Sequence, residues 1–281
     1  MPPIKTTEIK TVKHLLAVLN CSLPEIEELI AKKQSYYYIK NKPKEDNKGN
    51  IRYDAEGKVM YRILNPSKGR LKQIQSVISD RILSKIPLPP NIKGGVKGSD
   101  NVANARVHLG KKYKFKTDMK RYFPSINHDR VFRMLLQNGF SSKVASLLTH
   151  LTTHKYELPQ GTPTSMYIAN LVFLPNDIPI IEYCRNNTIT YSRYVDDLVF
   201  SSPFDFRARC NDLINFILRD GFKISYKKTV YKAGNMEITG IYTMQNVLDV
   251  TEAFKDLLSD PTIKATKTAG REKYYKKVRK K

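Results

Sequence analysis

Hydrophobic residues recur at helical spacing in several separate stretches of the chain. Residues 9–33 carry such a stripe, and so do residues 67–86, which end before the helix-breaking Pro87. Pro24 suits the first turn of a second short helix within the first stretch. Further helices are predicted over residues 131–140, 144–154, 164–174 and 208–219. The pattern therefore predicts a chain rich in short helices.

Alternating or β-rich segments mark the predicted strands. We expect strands at 36–39, 59–64, 113–117, 222–226 and 236–242, and a hairpin at 188–202. Residues 92–110 are rich in Gly, Lys and Asn and predict a loop with a short helix, and residues 158–163 predict a turn. Helices mixed with mostly antiparallel strands predict an α+β fold.

The charge balance narrows the class of partner. The 281 residues include 49 Lys and Arg against 26 Asp and Glu, a formal charge of +23, while 41% of residues are hydrophobic. A globular chain this basic favours a polyanionic partner, which we expect to be nucleic acid. No stretch approaches the length of a membrane-spanning helix, no secretory leader is recognisable, and the three cysteines lie far apart. We therefore expect a cytoplasmic protein with no membrane partner.

The sharpest local feature is a pair of carboxylates, Asp196 and Asp197, between two β-rich segments. A solvated Asp-Asp turn would explain the pair by itself. Asp118, which follows an alternating strand, changes this interpretation, because an acid at a strand end and an acid pair in a hairpin can meet at one sheet edge. Such oxygens can hold two Mg²⁺ ions about 3.5–4 Å apart for in-line phosphoryl transfer.

With these residues in place, the sequence resembles reverse transcriptases, and within them the retron group. The resemblance runs from about Tyr36 to Gly240. The matching segments, in the family's order, are Asn104–His108, Asp118 with Phe123, Leu158–Ser165, Tyr194–Asp197, Gly221–Thr229 and Ile238–Gly240. Val195 and Ser225 depart from the usual retron residues, residues 40–58 lengthen the first finger hairpin, and the region after Gly240 is short.

The resemblance implies a right-hand polymerase with fingers, an antiparallel-sheet palm and a short, mainly helical thumb. The implied segments are an N-terminal helical segment at 1–34, fingers at 35–112, a palm at 113–240 with finger-side helices inserted at about 129–157, and a basic thumb or C-terminal region at 241–281.

The resemblance also implies roles for individual residues. The metal ligands would be Asp118, Asp196 and Asp197, holding two Mg²⁺ ions for which Mn²⁺ can substitute, with Lys228 donating a proton to the departing pyrophosphate. The nucleotide-binding residues would be Arg62, Phe123 and Gln160, assisted by Lys40 or Lys42. The RNA- or template-binding residues would be Asn104, His108, Thr239, Gly240, Lys276 and Lys277.

Plainer interpretations of several of these residues stay open. Phe123 can be a core residue, and Lys228 one more solvated lysine in a basic chain. Gln160 can belong to an ordinary capped helix, and the end of the basic tail can be frayed.

The implied function is reverse transcription of part of a partner non-coding RNA, primed from a guanosine 2′-hydroxyl. The product would be a branched RNA–DNA hybrid that serves with an accessory effector protein in bacterial anti-phage defence, with template trimming by a host RNase H. The substrates would be dNTPs. Two alternatives remain: another bacterial reverse transcriptase, of group II intron-like or defence-associated type, and a non-catalytic RNA-binding protein on a polymerase fold.

Overall fold

The computed structural model describes residues 9–45, 50–259 and 265–280. The α-helices, in chain order, are α1 (Val12–Leu19), α2 (Leu23–Ala31), α3 (Gly69–Val77), α4 (Asn101–Arg106), α5 (Tyr122–Ser125), α6 (His128–Gln137), α7 (Ser142–Thr152), α8 (Ser165–Asn186), α9 (Cys210–Leu218), α10 (Glu252–Ser259) and α11 (Ala265–Arg279). The strands are β1 (Lys40–Pro43), β2 (Tyr61–Leu64), β3 (Tyr113–Asp118), β4 (Thr190–Tyr194), β5 (Asp197–Ser202), β6 (Val230–Ala233), β7 (Met236–Ile238), β8 (Ile241–Thr243) and β9 (Leu248–Val250).

The chain divides into two compact units. The first unit comprises residues 1–42, 61–89 and 121–175, and the second comprises 43–60, 90–120 and 176–281. Helix α8 begins in the first unit and ends in the second.

The first unit is mainly helical. Side-chain oxygens cap the helix starts, as where Thr11 accepts from the His14 amide and Ser22 accepts from the Glu25 amide. Helices α1, α2, α3 and α7 pack together through their apolar stripes. The buried members of these stripes include Leu15, Leu19, Ile26, Leu29, Leu71, Ile74, Val144 and Leu148. Strands β1 and β2 form a separate two-stranded sheet.

The second unit contains two antiparallel sheets. The larger has the strand order β4-β5-β3-β6, and the smaller has the order β7-β8-β9. One hydrophobic cluster joins residues of both sheets with residues of α4 and α11. Its members are Val102, Ala105, Val199, Met236, Ile238, Ile241, Leu248, Val250 and Val278. The basic C-terminal helix is therefore docked on this unit through Val278.

The α+β class predicted from the sequence is confirmed, with corrections to individual elements. Helix α8 continues beyond the predicted end at 174, through Pro175 and to Asn186. The predicted strand at 36–39 is wrong, since Lys33–Tyr36 forms a 3₁₀ turn and the strand begins at Lys40. The predicted strand at 222–226 is reduced to a single bridge from Ile224. The finger, palm and thumb boundaries remain a prediction.

Among the described residues, no helix is long and apolar enough to cross a membrane.

Candidate active site

Three carboxylates that are distant in sequence meet at one edge of the larger sheet. Strand β3 pairs with β5 in a register that sets Asp118 opposite Asp197. Asp196 lies in the tight turn between β4 and β5, next to Asp197. Directly opposed Cα atoms in an antiparallel pair lie about 4.5–5.5 Å apart. The structure therefore brings together Asp118, Asp196 and Asp197, as the sequence predicts.

The turn that carries Asp196 is held from several sides. Val195 has a φ of 62°, in the left-handed region that non-glycine residues rarely adopt. The Val195 carbonyl accepts a hydrogen bond from Arg193 Nη1 at 3.0 Å, and the Asp196 carbonyl accepts one from the Met119 amide at 2.9 Å. A Cβ on Gly94 would lie 2.5 Å from the Val195 nitrogen, so only glycine fits against the turn.

Arg193 itself is anchored inside the protein. Its side chain is fully buried and grips Asp177 with two hydrogen bonds, Nε to Oδ1 at 3.0 Å and Nη2 to Oδ2 at 2.6 Å. The Tyr191 hydroxyl donates to the same carboxylate at 2.6 Å. This anchor was not predicted, although a charged residue in the apolar stretch 168–181 and another in the β-rich segment before the acid pair were available signals.

The acidic cluster has an uneven charge environment. Burial, and then the neighbouring negative charges of Asp196 and Asp118, raise the pKa of Asp197 to about 7, against the opposing effect of Lys228. Lys228 Nζ lies 2.7 Å from Asp118 Oδ2, and the lysine side chain is 59% exposed. Lys228, the predicted proton donor to pyrophosphate, therefore lies next to the carboxylates and is accessible to solvent.

Asp118 and Asp197 line a cavity of about 820 Å³ within the second unit. Its lining includes Asp118, Asp197 and Lys228, together with the predicted template-contacting turn Thr239-Gly240. Arg52 also lines this cavity and was not predicted. The available signal was its place in the lengthened, polar segment 40–58 of a basic chain.

Oxygen donors of this kind suit hard divalent cations such as Mg²⁺. Among the described residues, no three His, Cys, Asp or Glu side chains stand ready-made around one metal position. One oxygen of Asp118 is engaged by the ammonium group of Lys228. Mg²⁺ commonly uses one or two carboxylates and takes its other ligands from water and substrate phosphates. The donor set fits such a cation.

Two residues predicted to contact RNA are buried instead. The side chains of Asn104 and His108 have no exposed surface. His108 bonds to Ser201 and Ser192, and Asn104 accepts a hydrogen bond from Ser192. The prediction that these two side chains contact RNA directly is therefore wrong, because neither side chain reaches the surface.

The predicted C-terminal residues lie on α11. Lys277 makes an ion pair with Asp100, the residue that caps α4, and Lys276 is exposed. Val278 is buried in the core cluster, so the described part of this helix is packed. RNA binding by Lys276 and Lys277 stays a prediction.

The predicted nucleotide-binding residues lie in the first unit. Arg62 is exposed on β2, and the candidate lysines Lys40 and Lys42 are exposed on β1. Gln160 lies in the predicted turn, where its carbonyl accepts a hydrogen bond from the Asn65 amide at 2.9 Å. Phe123, in α5, is half-buried and packs edge-on to Tyr122 at 5.8 Å between ring centroids.

Comparison with known proteins adds a second line of support. Residues 40–244 match the family model for reverse transcriptase (RNA-dependent DNA polymerase). The retron Ec86 reverse transcriptase of Escherichia coli is 30% identical over 71% of this chain and 64% of its own length. The retron Mx65 enzyme of Myxococcus xanthus is 31% identical over 64% of this chain and 47% of its own length. The retron Se72 enzyme of Salmonella heidelberg is 29% identical over 70% of this chain and 55% of its own length.

Among solved structures, apo telomerase from Candida tropicalis has a TM-score of 0.48 at 13% identity, over 81% of this chain and 59% of that one. This likeness adds nothing to the assignment. The chain spans about half to two thirds of the length of the curated relatives named above. The family match covers well over half of the chain and contains the three clustered carboxylates. The chain therefore belongs to the reverse transcriptase family, and its relatives are retron reverse transcriptases.

Proposed function

We propose that this chain is an RNA-directed DNA polymerase of the retron type, which adds dNTPs to a primer on an RNA template. The observation that carries the proposal is the register of β3 and β5, which sets Asp118 opposite Asp197 with Asp196 in the adjoining turn. A sheet edge that gathers three carboxylates at an open cavity with lysines suits phosphoryl transfer, which needs positioning and charge stabilisation more than covalent chemistry.

The three carboxylates are the proposed holders of the divalent cations that reverse transcriptases use. Mg²⁺ is the proposed ion and Mn²⁺ its substitute. When bound, the cations activate the attacking hydroxyl and neutralise charge on the leaving pyrophosphate. Arg193 and Gly94 keep the turn of Asp196 in place, because one bonds the Val195 carbonyl and the other leaves room for the turn.

Lys228 is the proposed proton donor to pyrophosphate. Its ammonium group already lies 2.7 Å from Asp118 Oδ2 and its side chain is mostly exposed, so it can exchange a carboxylate partner for a phosphate one. Arg62 and Gln160 are proposed to bind the incoming nucleotide, and Phe123 to exclude a ribose 2′-hydroxyl by its bulk. Lys40 or Lys42 assists with the triphosphate.

The proposed template is part of a partner non-coding RNA, and the proposed primer is a guanosine 2′-hydroxyl of that RNA. The product is then a branched RNA–DNA hybrid that works with an accessory effector protein in anti-phage defence, after trimming by a host RNase H. The retron reverse transcriptases among the relatives and the charge of +23 support this reading. Thr239, Gly240, Lys276 and Lys277 are the proposed contacts to RNA and template, and the bacterial cytoplasm is the proposed location.

The decisive test is DNA synthesis by the purified chain on an oligo(dT)-primed poly(rA) template with dTTP and Mg²⁺. We expect extension of the primer, and we expect Asp196→Asn to abolish it while the fold is retained. Asp256→Asn serves as the matched control, since Asp256 is an exposed carboxylate on α10. Synthesis that survives Asp196→Asn would overturn the metal-site assignment.

Two further measurements, of RNA binding and of 2′-linked product, separate the alternatives. A chain that binds RNA tightly but extends no primer would be a non-catalytic RNA-binding protein on this fold. A chain that extends the added primer but forms no 2′-linked product with RNA from its own genetic neighbourhood would be another type of bacterial reverse transcriptase.

A further inference from the structure

A chain of buried hydrogen bonds runs behind the candidate site in the second unit. His108 Nδ1 lies 2.6 Å from the Ser201 hydroxyl, and Nε2 lies 2.7 Å from the Ser192 hydroxyl. Ser192 in turn donates to Asn104 Oδ1 at 2.7 Å. Ser192 lies on β4 and Ser201 on β5, so the two residues Asn104 and His108 bond both strands of the hairpin that carries the acid pair.

Proton counting settles the direction of these bonds. Ser192 has one hydroxyl proton and gives it to Asn104 Oδ1, so it must accept from a proton on His108 Nε2. The ring is neutral, because burial lowers the pKa of His108 to about 3. Nδ1 therefore carries no proton and accepts from the Ser201 hydroxyl. Every polar atom of the ring is satisfied, which makes the arrangement specific.

This series of hydrogen bonds ends at the strained Thr239-Gly240 turn. Asn104 Nδ2 donates to Thr239 Oγ1 at 3.4 Å, and Asn101 Nδ2 donates to the Thr239 carbonyl at 3.1 Å. Thr239 has a φ of 47° and Gly240 a φ of 80°, in the two-residue connection between β7 and β8. A β-branched residue in the left-handed region is unfavourable and persists only where its surroundings hold it.

These bonds connect two walls of one cavity. Thr239 and Gly240 line the same cavity as Asp118 and Asp197. Nothing lies within 4 Å of a Cβ built on Gly240, so the turn presents open backbone to this space. The turn is attached to α4, and α4 is attached through Ser192 to the hairpin of the acid pair.

We propose that Asn104 and His108 are positioning residues that hold the Thr239-Gly240 turn at a fixed place relative to the carboxylates, so that the turn seats the nucleic-acid strand bearing the attacking hydroxyl. This inference rests on the proposed polymerase function for the identity of that strand. It assigns to the two buried side chains control of nucleic-acid binding without contact to the nucleic acid. In this proposal the two side chains do not affect binding of the incoming dNTP.

The two serines provide a matched pair of variants. Ser192→Ala and Ser201→Ala each remove one hydroxyl from the same buried imidazole, but only Ser192 also holds Asn104. We expect Ser192→Ala to raise the Kd for a fluorescein-labelled DNA primer annealed to an RNA template by about tenfold, roughly the effect of one net hydrogen bond. We expect Ser201→Ala to leave that Kd within about twofold, with a smaller fall in Tm than Ser192→Ala, because Ser201 makes one of these buried hydrogen bonds and Ser192 makes two.

The binding is measured by fluorescence anisotropy without dNTPs, and the KM for dTTP is measured separately. An unchanged KM for dTTP in Ser192→Ala supports positioning of the nucleic acid. Equal Kd values for the two variants, or a rise in both Kd and KM for dTTP, would overturn the inference. Asn104→Ala should act like Ser192→Ala, and if it does not fold the serine pair still decides.

Failure of the inference and failure of the proposed function give different results. A wild-type chain that binds the primer–template but makes no DNA contradicts the polymerase, while the comparison of Kd values remains decisive. A chain that makes DNA although its two serine variants bind alike contradicts only the positioning role.

Discussion

The second unit buries carboxylates in two ways. Asp177 is fully buried and is met by Arg193 through two hydrogen bonds and by the Tyr191 hydroxyl through a third. Burial raises the pKa of Asp177, and the guanidinium of Arg193 opposes the rise. Asp197 begins β5, whereas Asp177 lies on α8, and Asp197 is next to two other acids, Asp118 and Asp196.

The difference separates a carboxylate that is neutralised within the protein, Asp177, from one that is proposed to bind metal, Asp197. At Asp177 the protein supplies the cation, and the pair holds Arg193 where it bonds the Val195 carbonyl. At Asp197 the protein adds more negative charge and opens the site to a cavity, so the proposed compensating cations are divalent metal ions that bind there with the substrate. The first arrangement stabilises the fold, and the second sacrifices stability for a binding site.

Replacing Asp197 by Asn removes one of the three neighbouring carboxylates at the candidate site. We expect primer extension to fall on the order of a thousandfold, as for loss of an electrostatic group at the reacting centre. The Tm should stay the same or rise, because one of three crowded like charges is removed. Extension assays and thermal unfolding of the same preparation measure both effects. A large fall in Tm would place Asp197 with Asp177 as a structural residue.

Replacing Asp177 by Asn removes the buried ion pair between Asp177 and Arg193. The free energy of unfolding should fall by about 3–5 kcal/mol, since Arg193 is left as an uncompensated buried charge. Urea denaturation measures the change, with the exposed Asp256→Asn expected to lie within about 0.5 kcal/mol of the wild type. Wild-type stability in Asp177→Asn would mean that the ion pair does not hold the hairpin.

Gly94→Ala sharpens the comparison because it displaces the turn of Asp196 while both members of the Asp177–Arg193 pair are kept. The new Cβ would lie 2.5 Å from the Val195 nitrogen, so the turn must shift, and we expect extension to fall by about a hundredfold. Gly270→Ala is the control, because open space surrounds its Cβ and a helical alanine is favourable. Steady-state extension rates measure both variants. Normal activity in Gly94→Ala would show that the turn tolerates displacement.

His108 provides the smallest test, as an ionisable group that is buried neutral. Its pKa is about 3 when folded and 6.5 in the reference state, so between these values the unfolded chain binds a proton that the folded chain does not. This contribution to stability is complete above pH 6.5 and is lost as pH falls toward 3, by about 1.4 kcal/mol per pH unit. Urea titrations at pH 7.5 and pH 5 should show this slope in the wild type and a weaker slope in His108→Gln. Equal slopes would contradict burial of a neutral imidazole.

Local patterns in the sequence were enough for much of the fold. The stripe at residues 9–33 and the hairpin at 188–202 were predicted, because helical and strand periodicities are properties of neighbouring residues. Helix α8 was cut short at residue 174, since proline usually ends a helix and only packing shows that this one continues. The segment at 222–226 has strand-like residues, yet the pairing with β3 goes to β6 instead.

The candidate site divides in the same way. Asp118 and the Asp196-Asp197 pair could be found from the sequence, because acids at a strand end and in a hairpin have a recognisable local setting. Arg52, Arg193 and Asp177 are unusual in their local settings, but the sequence does not show which partner or cavity each will meet. The motif singles out Asn104 and His108, but their burial excludes direct side-chain contact with RNA, and support of the Thr239-Gly240 turn is the role proposed for them.

The sequence by itself determined the α+β class, the affinity for polyanions expected from a charge of +23, and the carboxylates of a reverse transcriptase motif series. Only the tertiary structure decided that Asp177 is neutralised by Arg193 and that Asp197 lies beside two other carboxylates, Asp118 and Asp196. It also decided that α4 links the β4–β5 hairpin to the Thr239-Gly240 turn. The physical reason is that charge and hydrogen-bonding capacity belong to a residue, whereas desolvation and partner choice belong to the neighbours that folding brings to it.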